Sequence, residues 1–299
     1  MKLNRLFSVV TILILIQLAF TANAQEESKG KPNVFIDYFW RASGISASDA
    51  EQLRNQVIQV INETHRVNLI DVDTNSSLQI EKERRESGNL AADDDLDRMK
   101  VMEQQGANFL IQGTVTSLAI EHKKTDSGSD YYTAVINFTL KVINPNDGIT
   151  LHTESFKAGG ELLNLQTGDT PEEAVMNVCK TGAKKIKPFI EKAFPIFGKV
   201  LEMDEIKKDE VKSIFISVGS SAGVKEKDKF EVKVVREIAG RKSAKTIGEV
   251  EVSAVEGDDI SAAKVKKGGK EIKAAIDGGQ TVIVESIAKK ANIFSGAAI

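Results

Sequence analysis

Near residue 196 the hydrophobic period of this chain changes, and the change limits it to two unlike architectures joined in series. Before Pro195, short alternating runs are interleaved with apolar residues at helical spacing. Beyond Phe197 helical spacing disappears. Residues 198–203, 213–218, 229–237, 247–255, 261–266 and 281–287 then read as strands separated by Gly, Asp and Lys turns. Five or six strands in so short a segment suggest a small closed barrel of SH3-like or OB-like size. The flanked pairs Gly268-Gly269 and Gly278-Gly279 are expected in β turns with no helix after them.

The first part opens with a strand over 34–39. Ser48-Asp49-Ala50-Glu51 has the form of a capping box, followed at helical spacing by Leu53, Val57, Val60 and Ile61. A short strand over 67–72 precedes a charged segment, EKERRESG, read as a partly exposed helix. A second helix opens at Asp93 and closes at Gly106. Three long strands follow, over 108–122, 132–142 and 149–157, the last two separated by the turn Pro145-Asn146-Asp147-Gly148. They are expected as an antiparallel meander. Thr170-Pro171-Glu172-Glu173 then starts a helix with proline at its first position, and Pro188 is expected to kink it against the carbonyl of Lys184. The fold class expected is α+β: an α/β layer sandwich with a mixed sheet, then a small all-β barrel. Gly113, inside a long strand, suggests a bulge or a close approach by a helix, the one from Thr170 with its Gly182 being the expected neighbour, and a glycine on an exposed face is the alternative.

The first 24 residues place Lys2 and Arg5 before an apolar run from Leu6 to Phe20 and end Ala22-Asn23-Ala24, the order of a cleavable signal peptide. The apolar run is shorter than the roughly 20 residues of a spanning helix. The expected division is therefore 1–24 signal peptide, 25–195 α/β domain and 196–299 barrel, giving a soluble, exported, periplasmic protein. Residues 25–32 and 291–299 are expected to be loose. No cysteine near residue 25 offers a lipid-attachment site, and the one cysteine, Cys179, falls on the apolar side of a helix as a buried thiol.

Charge is unevenly divided. Residues 25–195 carry a net −7 and residues 196–299 a net +2, so neither has the strongly basic face of a nucleic-acid partner. His65, His122 and His152 have no metal spacing, although the meander has the means to bring His122 and His152 together at a sheet edge. Asp71-Val72-Asp73-Thr74-Asn75 opens like a calcium loop but lacks glycine at its sixth position and glutamate at its twelfth. Asp93-Asp94-Asp95 suits a helix N-terminus without metal. No nucleophile elbow, P-loop or dinucleotide fingerprint is present. The expectation is a non-enzyme without cofactor or metal. Trp40, Tyr131 and Tyr132 remain as candidate partner contacts, core packing being the competing use of the same aromatics.

Gly106-Ala107-Asn108-Phe109-Leu110-Ile111-Gln112-Gly113-Thr114-Val115-Thr116, a helix end leading into a glycine-interrupted strand, resembles the CsgG-like family of bacterial envelope proteins. That family includes the curli secretion channel, the outer-membrane activator of penicillin-binding proteins (LpoB) and the TolB amino-terminal domain. The segment from Gly219 to Val232, with Ile247-Gly248-Glu249-Val250, resembles the carboxy-terminal barrel of the flagellar T-ring protein FlgT. These resemblances imply a non-catalytic accessory or scaffold in a cell-envelope assembly, binding other envelope proteins. The alternative they imply is an outer-membrane-associated, curli-type transport component that forms an oligomeric ring.

Overall fold

The computed structural model describes residues 30–71, 106–160 and 166–289. The helices expected between 78 and 105, the Asp93-Asp94-Asp95 run, most of the 71–75 loop, the leader and the tail lie outside them. Two bodies follow one another in that part of the chain: a mixed sheet covered on one face by helices, and a closed six-stranded antiparallel barrel.

The sheet starts with β1 (Asn33–Ile36), which pairs in parallel with β3 (Asn68–Asp71) on one side and β4 (Phe109–Lys124) on the other. Between β1 and β3 runs α1 (Ala47–Thr64), which makes the connection a parallel β-α-β crossover. β5 (Asp130–Ile143) and β6 (Thr150–Ala158) then add the antiparallel meander the alternation predicts. Two short strands complete it: β2 (Trp40–Arg41) continues the path of β1 along β4, and β7 (Gln166–Gly168) pairs with β5. Even-numbered residues of β5, from Ala134 to Val142, point to the helices α1, α2 (Pro171–Lys185) and α3 (Lys187–Ala193), where they form the main core with Leu53, Val57, Val178 and Ile190.

Local chemistry sets the helix ends. The capping residue of α1 is Ser46, not Ser48: its hydroxyl accepts from the amide of Asp49 at 3.0 Å. Both serines have an acidic residue three positions on, so the local pattern fits either. At α2, Thr170 accepts from the amide of Glu173, whose carboxylate returns to the amide of Asp169 at 2.8 Å. The run then breaks at Ile186, ahead of Pro188, as the missing amide and ring clash require. Cys179 is buried in this helix.

The barrel joins β8 (Phe197–Lys207), β9 (Glu210–Ile216), β10 (Lys229–Ile238), β11 (Arg241–Val255), β12 (Ser261–Lys267) and β13 (Val282–Ser286) in the cyclic order β10-β11-β12-β9-β8-β13. Closure leaves no unpaired edge around the ring. Val232, Val234, Val250, Ile214 and Val284 fill it. The expectation of an all-β second part is corrected here. Gly269–Asp277 is a helix, α4, and the two glycine pairs are its ends: Gly268 caps it in a left-handed conformation at φ 79°, and Gly278 terminates it. Its Ile272 and Ala275 are buried in the barrel core, so the helix plugs one mouth.

The opposite mouth faces the sheet. Arg66 donates from Nη1 to the carbonyls of Glu191 and Phe194 and to the hydroxyl of Ser286 in β13. Burial pulls its guanidinium below the usual value, while Glu191 and then Asp228 oppose that pull. The Ser286 hydroxyl accepts in turn from the amide of Ile196, and Glu191 accepts from the amide of Lys289. A Cβ at Gly223 would lie 2.2 Å from the carbonyl oxygen of Thr64, so the barrel touches the end of α1 where only hydrogen fits.

Candidate functional site

The second face of the sheet divides in two. At the β1 end it is apolar, with Phe35, Ala107, Leu110 and Ile143 buried together. Beyond Leu110 it turns polar, because the outward positions of β4 as far as Ser117, and of β5 from Asn137 to Lys141, are Gln, Thr, Ser, Asn or Lys. The register sets these residues in rows across three strands: Gln112–Lys141–Thr153 and Thr114–Thr139–Ser155. A third row runs Ser117–Asn137–Lys157 across the bulge of β4. Trp40 pairs with Thr114 and so ends the second row on the β2 side.

The hydroxyls of this face bond to one another rather than to a base. Thr139 and Ser155 share a hydrogen bond of 2.9 Å, Asn137 Nδ2 donates to the Ser117 hydroxyl at 2.7 Å, and Thr116 donates to the carbonyl of Asn137. Such groups present donors and acceptors to a flat partner. Two lysines, Lys141 and Lys157, and no carboxylate stand in these rows. An open groove beside β2 is lined by Trp40, Arg41, Ala42, Gln112 and Thr114 to Thr116. Among the described residues no group of three His, Cys, Asp or Glu side chains is placed to hold a metal ion.

The segment leading to Trp40 is bonded by a buried arginine that spacing alone does not mark. After Ile36 the chain leaves β1 through Asp37-Tyr38-Phe39 and rejoins β4 as β2. Arg54, fully buried on α1, donates Nε to the carbonyl of Asp37 and Nη1 to Glu51, and lies over the Tyr38 ring at 5.0 Å. It satisfies carbonyls that the excursion removes from the ladder. An arginine at helical spacing reads as a solvated side chain, so its signal was hidden. Phe39, the other residue of the excursion, lies against Gly113: a Cβ there would sit 2.4 Å from the Phe39 ring. The close approach expected at Gly113 is present, but its neighbour is Phe39 and not α2. Gly182 faces Phe138 instead.

The candidate aromatics do not converge. Tyr131 and Tyr132 pair with Lys123 and His122 near the far end of β4, nine and eight residues from Thr114, a separation of about 30 Å at the strand rise. Tyr131 shares the face of Trp40. Tyr132 lies on the helix side, partly packed on the core and stacked on His122 with centroids 5.0 Å apart. His122 bonds Asp130 at 2.8 Å. His152 pairs with Val142, ten residues from Tyr132 along β5, so the meander separates the two histidines rather than joining them.

No protein-family model matches the chain, and no curated protein does. Solved structures overlap it in part. A PelC dodecamer from Paraburkholderia phytofirmans is 11% identical, covering 53% of this chain and 87% of that one, with a TM-score of 0.32. Lipoprotein GNA1162 from Neisseria meningitidis is 12% identical over 42% of this chain and 81% of its own, with a TM-score of 0.31. The LpoB C-terminal domain from Salmonella enterica is 9% identical over 44% and 85%, with a TM-score of 0.27. Overlaps of this size carry no argument about function.

Proposed function

We propose that this chain is a non-enzymatic accessory or scaffold protein of a bacterial cell envelope, and that it acts by binding another protein across the open face of its sheet. The observation carrying the reading is the three-row face itself. Its hydroxyls and amides are held in register by one another, it lacks carboxylates, and Trp40 closes one end. A preorganised polar surface bordered by one large aromatic suits a partner with a satisfied rim and an aromatic anchor. The sheet with its helices is read as CsgG-like and the barrel as SH3/OB-like and FlgT-like, on the sequence motifs quoted above. The leader supports export, with a mature, unlipidated protein beginning at Gln25 and divided into 25–195 and 196–299. Among the described residues no helix is long and apolar enough to cross a membrane.

The test is capture from envelope extract with the tagged mature protein. Thr139→Arg places a bulky cation mid-face without touching the core, and Trp40→Ala removes the anchor. Each is expected to lose the specific partner while melting normally. Undiminished capture by both variants overturns the face as the binding surface, and an amino terminus at Met1 overturns export.

A second reading, a ring-forming curli-type transport component at the outer membrane, draws on β6. Among the described residues this strand pairs only with β5, which leaves a nine-residue edge for a neighbouring copy. Light scattering separates the two: a ring runs at a multiple of the monomer mass, and Ser155→Pro on that edge abolishes it.

A further inference from the structure

The mouth of the barrel remote from the sheet carries an arm. Beyond Val235, which donates to the carbonyl of Thr281, β10 and β11 leave the ring and continue as a two-stranded hairpin. Ala239 and Gly240, at φ 51° and 77°, close it with a turn whose twist suits two residues of positive φ. Every residue from Arg236 to Thr246 is exposed. The strand register sorts their side chains. Positions 230, 232 and 234 of β10 point into the barrel, so Arg236 and Ile238 continue that face, with Lys245, Ser243 and Arg241 paired beside them. Glu237, the one acid of the arm, pairs with Lys242 on the opposite side.

The inner face of the arm therefore carries three cations, no acid, and at its outermost pair an isoleucine that is 61% exposed. Several other barrel lysines are tied to neighbours: Lys267 to Glu249 at 2.9 Å, Lys266 to Glu251 at 3.0 Å, and Lys233 to both Glu231 and Glu285. Arg236, Arg241 and Lys245 form no ion pair among the described residues. An aliphatic tip with nothing to pack on, set between unpaired cations, has no use in the monomer that the fold explains.

We propose that this arm docks the barrel onto an anionic phospholipid surface. The phosphates of the headgroups meet Arg236, Arg241 and Lys245, and Ile238 enters the apolar boundary just below them. One feature disfavours nucleic acid: three cations are fewer than the roughly 6–10 phosphate contacts of a tight duplex binder. A bilayer, in contrast, offers charge and an apolar layer at the two depths the tip presents. Because the sheet adjoins the other mouth, through Arg66, Ser286 and Gly223, docking here leaves the sheet turned away from the membrane.

Co-sedimentation of the mature protein with phosphatidylglycerol-rich and with phosphatidylcholine vesicles tests it. Binding is expected only to the anionic vesicles and should weaken as salt rises. Arg236→Glu with Arg241→Glu should lower the partition by more than about five-fold per site, since each site reverses rather than merely loses a charge. Ile238→Ser should lower it at every salt concentration. Lys199→Glu with Lys264→Glu removes two exposed barrel cations elsewhere and should change it far less. Equal binding to neutral vesicles, an equal loss in the control pair, or tighter capture of duplex DNA than of vesicles overturns the proposal. Unchanged circular dichroism and melting certify the variants, as the arm lies outside the core. Thr139→Arg, aimed at the open face, should bind vesicles normally, so the two surfaces fail or stand separately.

Discussion

The two mouths of the barrel are closed by opposite means. Toward the sheet, polar groups turn inward: Arg66 bonds two carbonyls and the Ser286 hydroxyl, Ser286 serves two donors, and Glu191 holds the amide of Lys289. At the other mouth an apolar plug, Ile272 and Ala275 of α4, seals the core, and Arg236, Arg241 and Lys245 of the arm are exposed and form no ion pair among the described residues. The contrast shows where each kind of interaction is useful. Hydrogen bonds to charged groups join two bodies in a fixed orientation, because unmaking one leaves the others buried and unsatisfied. Apolar burial closes a barrel without fixing anything beyond it. Free charge is then left at the mouth that has no internal neighbour.

The plug gives the largest expected effect. Ile272 is fully buried, and replacing it with alanine opens a cavity at the mouth worth about 3 kcal/mol. Ile272→Ala should lower the denaturation midpoint of the barrel in urea with an unchanged slope. A midpoint equal to that of the parent protein would show that α4 lies on the barrel without sealing it. The junction comes next. Arg66→Met keeps the stem and removes the donors, leaving the carbonyls of Glu191 and Phe194 without that partner, at about 2 kcal/mol. Calorimetry should then resolve two transitions, sheet and barrel, in place of one. A single transition at the parent temperature would mean that the inward polar groups do not couple the two bodies.

A third effect lies inside the sheet and bears on how far the sequence can be read. Gly113→Val sets its side chain against the Phe39 ring, where a Cβ alone would lie 2.4 Å away, so overpacking should cost about 1–3 kcal/mol and leave the barrel midpoint untouched. An unchanged or raised melting temperature would show that Phe39 swings aside. The glycine was legible as marking either a bulge or a close approach, the uses a strand interior has for it. Its neighbour was not, since Phe39 belongs to an excursion whose Asp37 carbonyl is bonded by buried Arg54, and no local pattern announces an arginine turned inward. The barrel strands were legible from alternation and turn residues, with boundaries off by a few residues at most in β9, β12 and β13. Helix α4 escaped for the opposite reason to Arg54: at nine residues between glycine pairs its local signal is that of a turn, and only the open mouth of a barrel gives Ile272 a place to go. Of the candidate site, Trp40 was visible as an aromatic, whereas its row with Thr114, Thr139 and Ser155 depends on register across four strands, which sequence spacing alone does not set.

The smallest effect near neutrality concerns the one thiol. Burial, with a further contribution from Asp49, pushes Cys179 up from 9.0 to about 12. Below pH 9 the thiol is protonated in folded and unfolded chains alike, so its contribution is constant there. Between about 9 and 12 the unfolded chain releases a proton that the folded chain keeps, the unfolded state is favoured, and stability is lost as pH rises through that window. The urea midpoint of the parent protein should thus fall more steeply above pH 9 than that of Cys179→Ala, whose absolute midpoint is lower throughout because of the small cavity. Parallel slopes for the two would mean that the sheet core opens enough to ionise the thiol in place. The same burial predicts that a thiol reagent at neutral pH labels Cys179 only after denaturation, and at a rate set by opening of the sheet rather than of the barrel. Arg66→Met, which uncouples the two bodies, should leave that rate unchanged if α2 is held by the sheet alone. A faster rate in the variant would show that the junction, and not the helix-covered core, holds α2 in place.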